Sequence, residues 1–432
     1  MHKSPVMLAV LIVGGCSLSR PGSDPGTADT DQTSARERPT GDGGQSSAAS
    51  RSLSGTVRLA SGRPVAGASV KLDETVVQTD ADGRFHFADV PAGSHALSTT
   101  WGTAPCIASA ARSVDVSADD TVDLQLGGPE AIVRKTLVIN YDPIIEEHDN
   151  KRLHQVKGWQ DPKELNQQYV DTLAQCSHGL VEYDVVEWVD ADDFPLKADG
   201  FRYTDATFLA EQWHQPDNVN YAAVVSDYDL VNKVNAGAVD EVITWGGPYF
   251  GFWESHMIGP TAYFVNSGGY VRTDLQRNFV VMGLNYERGL AEAIHAYGHR
   301  LESIMRRVYG RWEPSAANAN AWELFTARES DRPGSSGCGN VHFPPNGTAD
   351  YDYGNDAEVA SRCEDYSSWP NLTGATTAVG YTKTWKATGN AQLDYLRYWF
   401  AHVPHSVGVN ADTKQNNWWK YAADFNAWAE SR

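Results

Sequence analysis

The feature that most constrains this chain is a change in hydrophobic rhythm partway along it. From about Leu53 the stretch SGTVRLASGRPVAGASVKL alternates apolar and polar residues, and VVQTDADGRFHFADVPAGSHALSTT does the same. Turn signals such as Gly62-Arg63-Pro64 and Asp82-Gly83 interrupt the alternation. Short strands every ~10 residues with turns between them predict a small all-β sandwich. From about Ile132 the rhythm changes. KTLVINYDPI, GLVEYDVVEW, VDEVITWGG and RNFVVMGLNY read as strands, while PKELNQQYVDTLAQCS, YDLVNKVNAG and the stretch from Leu290 read as helices. Strands alternating with helices predict a larger α/β domain, with a mixed and largely parallel sheet. A chain of 432 residues has room for both units. After about Gly310 the sequence becomes irregular and rich in Gly and aromatics, with short helices near the end.

The first 50 residues belong to neither unit. Lys3 gives a positive start, residues 6–13 (VMLAVLIV) are apolar, and Gly14-Gly15 precede Cys16. That order is a secretory signal, and the apolar run is well short of the ~20 residues of a membrane span. Val13-Gly14-Gly15-Cys16 resembles the lipobox of bacterial lipoproteins. The resemblance implies that Cys16 carries the lipid and that residues 1–16 hold the signal. It also implies that the protein resides in the bacterial cell envelope, in the outer membrane because Ser17 rather than Asp follows the cysteine. Residues 17–50 are rich in Ser, Gly, Asp, Thr and Pro, and are expected to form a disordered tether. The net charge of -20 argues against nucleic acid as a partner.

Gly55-Thr56-Val57, Pro64 to Val70, Thr79 to Phe85 and Val90-Pro91-Ala92-Gly93 resemble the carboxypeptidase regulatory-like domain, a transthyretin-like sandwich, over residues 53–127. The resemblance implies a scaffold or binding module, in some cases for glycans. Asp80 and Asp82 are read as turn formers rather than calcium ligands. With Cys16 set aside, four cysteines remain in an oxidising compartment and allow three pairings. Cys338 and Cys363 flank one loop-rich region and form the favoured pair, and Cys106 with Cys176 would then tie the two units together.

Function is sought first in NYERGLAEAIHAYGHRLESIM. On a helix, Leu290, Ile294, Tyr297, Leu301, Ile304 and Val308 share one face, while Glu292, His295, His299, Glu302 and Arg306 share the other. Two imidazoles at i and i+4 lie about 6 Å apart along the axis and can chelate one Zn²⁺. Glu302 suits a carboxylate that orients one of them. A third ligand must come from another segment. CGNVHFPPNGTADYDYGN offers His342, Asp350 and Asp352, and HVPH offers His402 and His405. His342 and Asp350 are the candidates carried forward. The order strand, H-x-x-x-H helix, irregular region resembles zincin metallopeptidases, yet Ala296 stands where that family has its glutamate. Glu292 and Glu254 are the replacement candidates. Glu254 follows an aromatic run after a strand, where apolar surroundings raise a carboxyl pKa. FGFWES, NYERG, GHRLES and CGNVHFPPN with DYDY also resemble a group of uncharacterised secreted bacterial proteins, which implies no mechanism.

Two functions follow as expectations. The first is a metal-dependent or degenerate zincin-like hydrolase acting on extracellular peptide or glycan. The second is a non-catalytic binding protein for polysaccharide or protein at the cell surface. Trp418, Trp419, Tyr421, Phe425 and Trp428 are read as core rather than as sugar platforms. There is no G-x-S-x-G elbow and no Gly-rich phosphate loop.

Overall fold

A computed structural model describes residues 51–429. The lipobox, the anchor at Cys16 and the tether lie outside the described residues. The described chain is β-rich, with helices, and packs as a single compact unit. No helix among the described residues is long and apolar enough to cross a membrane.

The first part is a sandwich. Strands β1 (Arg51–Arg58), β2 (Ser69–Leu72), β3 (Thr75–Gln78), β4 (Arg84–Val90), β5 (Gly93–Thr103) and β6 (Cys106–Val116) are joined by the short β7 (Asp120–Thr121) and β8 (Leu124–Gln125). One sheet holds β4, β1, β7 and β8, and the other has the order β3-β2-β5-β6. Inward-facing Leu53, Val57, Val70, Phe85, Leu97 and Val116 fill the space between them. Asp80 accepts from the backbone N–H of Asp82 (2.9 Å) and of Arg84 (2.8 Å), the work of a turn former.

The second part is built on strands β9 (Ile132–Tyr141), β10 (Ile144–Ile145), β11 (Lys151–Arg152), β12 (Val181–Ala191), β13 (Glu241–Gly246), β14 (Ser255–Gly259), β15 (Tyr270–Val271) and β16 (Phe279–Asn285). Its helices include α1 (Leu153–Lys157), α2 (Pro162–Cys176), α3 (Asp205–Leu209), α4 (Tyr221–Asp227), α5 (Leu230–Asn235), α6 (Leu290–Tyr309), α7 (Ala321–Phe325) and α8 (Ala391–Ala401). The central sheet has the order β12-β9-β13-β16-β14-β15. The pairs β12/β9, β9/β13 and β13/β16 are parallel, β14 runs antiparallel to β16, and β15 is parallel to β14. Strand β14, Ser255–Gly259, begins directly after the aromatic run and Glu254 and is not among the strands expected from the sequence.

Every residue of β13 is buried, so its two sets of side chains serve two cores. Ile243 and Trp245 join a core with α2, α6 and α8, while Val242 joins one with α4 and α5 on the opposite face. The apolar stripe of α6, including Ile294, Tyr297, Leu301 and Ile304, packs against Val280, Met282 and Leu284. Trp418, Trp419, Tyr421 and Phe425 lie in the same core.

Both cysteine pairs are disulfides: Cys338–Cys363, and Cys106–Cys176, which fastens β6 of the sandwich to the end of α2. Polar contacts reinforce that junction. Arg63 pairs with Asp171 at 2.8 Å, the Ser61 hydroxyl donates to Glu182 at 2.7 Å, and the His178 ring bridges the carbonyls of Ile107 and Ala401.

Candidate metal centre

Helix α6 leaves β16 through the turn Asn285–Gly289, and its apolar stripe fixes its rotation on the sheet. That rotation turns His295 and His299 away from the sheet. His295 is 3% exposed, and His299 is half-buried. The third imidazole is His342, brought up by the loop after Cys338. The nitrogens that these three rings can offer all lie within 4.8 Å of one another. His299 Nε2 and His342 Nε2 are 2.9 Å apart. A tetrahedral Zn²⁺ bound ~2.1 Å from each nitrogen needs them roughly 3.4 Å apart, inside the observed range.

The surroundings hold the rings in place. Glu302, one turn beyond His299, puts Oε2 2.9 Å from His299 Nδ1 and accepts the backbone N–H of Val341 on Oε1 at 2.8 Å. One carboxylate thus orients a helix imidazole and pins the loop that carries another. The Tyr353 hydroxyl donates to the Val341 carbonyl at 2.8 Å, and Asn340 Oδ1 accepts the N–H of His342 at 3.1 Å. Asp350 lies on the far nitrogen of His342, 3.5 Å from Nδ1, while Nε2 faces His299. The structure therefore sets Asp350 behind the ring and not within the cluster. Asp352 is tied into its own loop through Thr348 and Asn355. His402 and His405 line a separate cavity of about 460 Å³ beside the sandwich, where His402 pairs with Glu364 and His405 stacks on His178.

Burial, reinforced by the neighbouring His299 and His342, pushes the His295 pKa down to about 3, which leaves its lone pair free. Burial also opposes a proton on His299. The hydrogen bond and charge of Glu302, with the charge of Glu254, outweigh that and raise its pKa. Glu254 sits one residue before β14 and is gripped by the Asn266 amide at 2.5 Å. Burial raises its pKa and Glu292 adds to this, while His299, His342 and Arg288 oppose it. Glu254 is therefore within electrostatic reach of Glu292, His299 and His342. Glu292 is neutralised by Arg288 at 2.8 Å, which leaves Glu254 as the less encumbered of the two.

A cavity of about 630 Å³ opens beside His299 and His342 and runs along α6 past Ser303. Three exposed aromatics stand at or near this region: Phe264 on the cavity wall, Trp253 next to Glu254, and Tyr351 with its hydroxyl 3.5 Å from His342 Nε2. The sequence flagged the DYDY loop but not the separate parts played by Tyr351 and Tyr353. Asn266 and Gln392, whose Nε2 is 3.4 Å from His295 Nδ1, carry no sequence signal that marks them.

Residues 52–127 match the model of the carboxypeptidase regulatory-like domain. No curated protein matches the chain. Solved structures match small parts of it. A "putative carbohydrate binding protein" from Pseudomonas aeruginosa is 17% identical over 17% of this chain and 87% of its own, with a TM-score of 0.14. A DUF3823 family protein from Parabacteroides merdae is 20% identical over 18% of this chain and 45% of its own, with a TM-score of 0.16. The Bacillus anthracis TIE protein is 16% identical over 22% of this chain and 19% of its own, with a TM-score of 0.17. The family match covers residues 52–127, and His295, His299 and His342 lie outside it.

Proposed function

We propose that His295, His299 and His342 hold a transition-metal ion, best Zn²⁺, and that residues 132–432 form an α/β domain that hydrolyses an extracellular polymer. The observation that carries this reading is the approach of three imidazoles, drawn from a helix and a disulfide-braced loop, within 4.8 Å of one another beside a cavity. Three neutral nitrogens and one open position are the donor set of catalytic zinc. Held by these residues, such an ion would supply an activated water and polarise the bond to be cut. Glu254 would be the carboxylate that holds the proton there, in place of the glutamate that Ala296 replaces. Glu302 would hold His299 as the tautomer whose Nε2 is free, and Asp350 stands 3.5 Å behind Nδ1 of His342. The chain sits on the bacterial envelope through a lipid on Cys16, with residues 17–50 as the tether and the sandwich as a rigid spacer.

A second reading is favoured by Trp253, Phe264 and Tyr351, which are 49%, 58% and 56% exposed. Aromatics left open to water around one site suit a non-catalytic binder of surface polysaccharide or protein. One experiment separates the two. The full chain is purified without chelator, and its metal content is measured by elemental mass spectrometry beside His295→Ala and His342→Ala. About one zinc per chain, lost in both variants, supports the first reading. A metal-free wild type that also binds no added zinc supports the second, and glycan binding is then measured with Trp253→Ala as the discriminating variant.

A further inference from the structure

Beyond His299 the cavity follows α6 toward its C-terminal end, and two cations, Arg306 and Arg307, line it there. We propose that Arg306 and Arg307 form a carboxylate subsite that selects acidic peptides, holding the carboxylate about 10 Å from the histidine cluster. This rests on the reading of the cluster as a hydrolytic centre, although the binding it invokes does not require the metal.

The spacing comes from the helix. Arg306 is seven residues past His299, or about 10.5 Å along the axis, and a peptide at about 3.3 Å per residue covers that in three residues. Ser303, one turn past His299, lines the wall between them.

The charge comes from what these arginines lack. Arg288, Arg300, Arg311 and Arg328 each pair with a carboxylate. Among the described residues no carboxylate forms an ion pair with Arg306 or Arg307, in a chain of net charge -20. Cations in the last turn of a helix complement its dipole, but that service does not require them to border a cavity. Arg307 is also positioned, with its guanidinium 4.1 Å from the centre of the Tyr263 ring. Guanidinium groups match carboxylates through paired N–H donors.

The walls favour peptide over sugar. Tyr263, Phe264, Trp312 and Phe343 give the cavity an apolar lining. Of the four, three have faces already taken, while Phe264 stays open: Arg307 covers Tyr263, Arg328 covers Phe343 at 4.4 Å, and Trp312 leans on Trp322 with ring centres 5.7 Å apart. What remains is a walled apolar space followed by two cations, which suits an apolar side chain followed by a carboxylate.

The carboxylate has two sources, an acidic side chain or a peptide C-terminus, and the test distinguishes them. Three capped peptides are titrated calorimetrically into the chelator-treated full chain at ~50 mM salt: acetyl-Ala-Phe-Asp amide, acetyl-Ala-Phe-Ala with a free C-terminus, and acetyl-Ala-Phe-Asn amide. The same titrations are run on Arg306→Gln and on Arg306→Gln/Arg307→Gln, both checked by thermal melting. One or both carboxylate peptides should bind about tenfold more tightly than the Asn peptide, and whichever does identifies the source. That preference should fall below twofold in the double variant and weaken with added salt. Equal binding of all three, or a preference that survives in the double variant, overturns the proposal. Tighter binding of tetragalacturonate than of either acidic peptide overturns the peptide class. Zinc content, measured separately, reports on the cluster, so loss of the hydrolase reading and loss of the subsite give different results.

Discussion

Glu302→Gln is the sharpest test of the metal centre, because it changes one atom and nothing of the shape. The carboxylate serves two donors at once, His299 Nδ1 at 2.9 Å and the Val341 N–H at 2.8 Å. An amide has one oxygen and one NH₂. The Val341 N–H can only donate, so the amide oxygen must stay with it, and the NH₂ then faces His299 Nδ1. Nδ1 becomes an acceptor, and the ring proton moves to Nε2, the atom aimed at His342. His299 is then in the wrong tautomer to ligate. Turning the amide over restores His299 but sets NH₂ against N–H in a buried place, at a cost of about 1–3 kcal/mol. Either way zinc affinity should fall about 10- to 100-fold, which is roughly 1.4 to 2.7 kcal/mol. The assay is competition for zinc against a chromophoric chelator at neutral pH, with a thermal melt to establish that the variant is folded. A folded Glu302→Gln protein that binds zinc within about twofold of wild type would refute the assignment of Glu302 as the orienting group.

Two further outcomes follow from other parts of the molecule. His256 is buried against Tyr221, with Nδ1 2.8 Å from the Ser267 hydroxyl, and burial pushes its pKa down from 6.5 to about 4. It stays neutral in the fold while the unfolded chain takes up its proton, so stability should fall as pH drops below 6.5 and level off below about 4, by about 3 kcal/mol in all. Urea unfolding of wild type and His256→Asn between pH 7 and 4 checks this, and parallel curves would count against it. Gly298→Ala should destabilise although it improves helix propensity by about 1 kcal/mol, because the added Cβ would meet Val341 Cγ2 at 2.5 Å. It should also weaken zinc binding through the His342 loop, and Val341→Ala in the same chain should restore both; a single variant that melts higher than wild type would remove this argument.

Much of this was legible because local pattern and tertiary structure agree. The alternation from Leu53 marks strands whose inward residues are those of the sandwich core, and the apolar stripe of α6 is the face that meets β16. Legibility fails where one residue's role is set by a distant partner. All five residues of β14 are buried, so the period-two signal that identifies a strand is erased, and the segment is not among the strands expected from the sequence. Arg300 is wholly buried within the packed body of α6, where it meets Glu241 of β13 and the Ala422 carbonyl, a placement no periodicity predicts. The third imidazole shows the same limit. His342, His402 and His405 are equal by residue type, as are Asp350 and Asp352, and only the path of the chain separates them. It sends His342 to the cluster, Asp350 to its outer nitrogen, Asp352 into a loop bond and the last two to another cavity.

The five residues HAYGH then have a physical reading, letter by letter. His295 and His299 lie on one side of α6, a turn apart. Tyr297 is buried in the core and bonds Tyr183 at 2.9 Å. Gly298 is bare because Val341 presses against it, and a side chain there would push away the loop that carries His342. Ala296 is 3% exposed and belongs to the same apolar core as Ile294 and Tyr297. A glutamate at that position would enter the core with no cation to meet it, at a cost no fold tolerates lightly. The carboxylate that the proposed chemistry needs therefore does not come from position 296. The candidate is Glu254, one residue before β14, held by Asn266, with its charge acting on His299. On this reading the alanine in the helix and the glutamate before the strand are two sides of one packing solution, in which position 296 sits too deep in the core to carry the base.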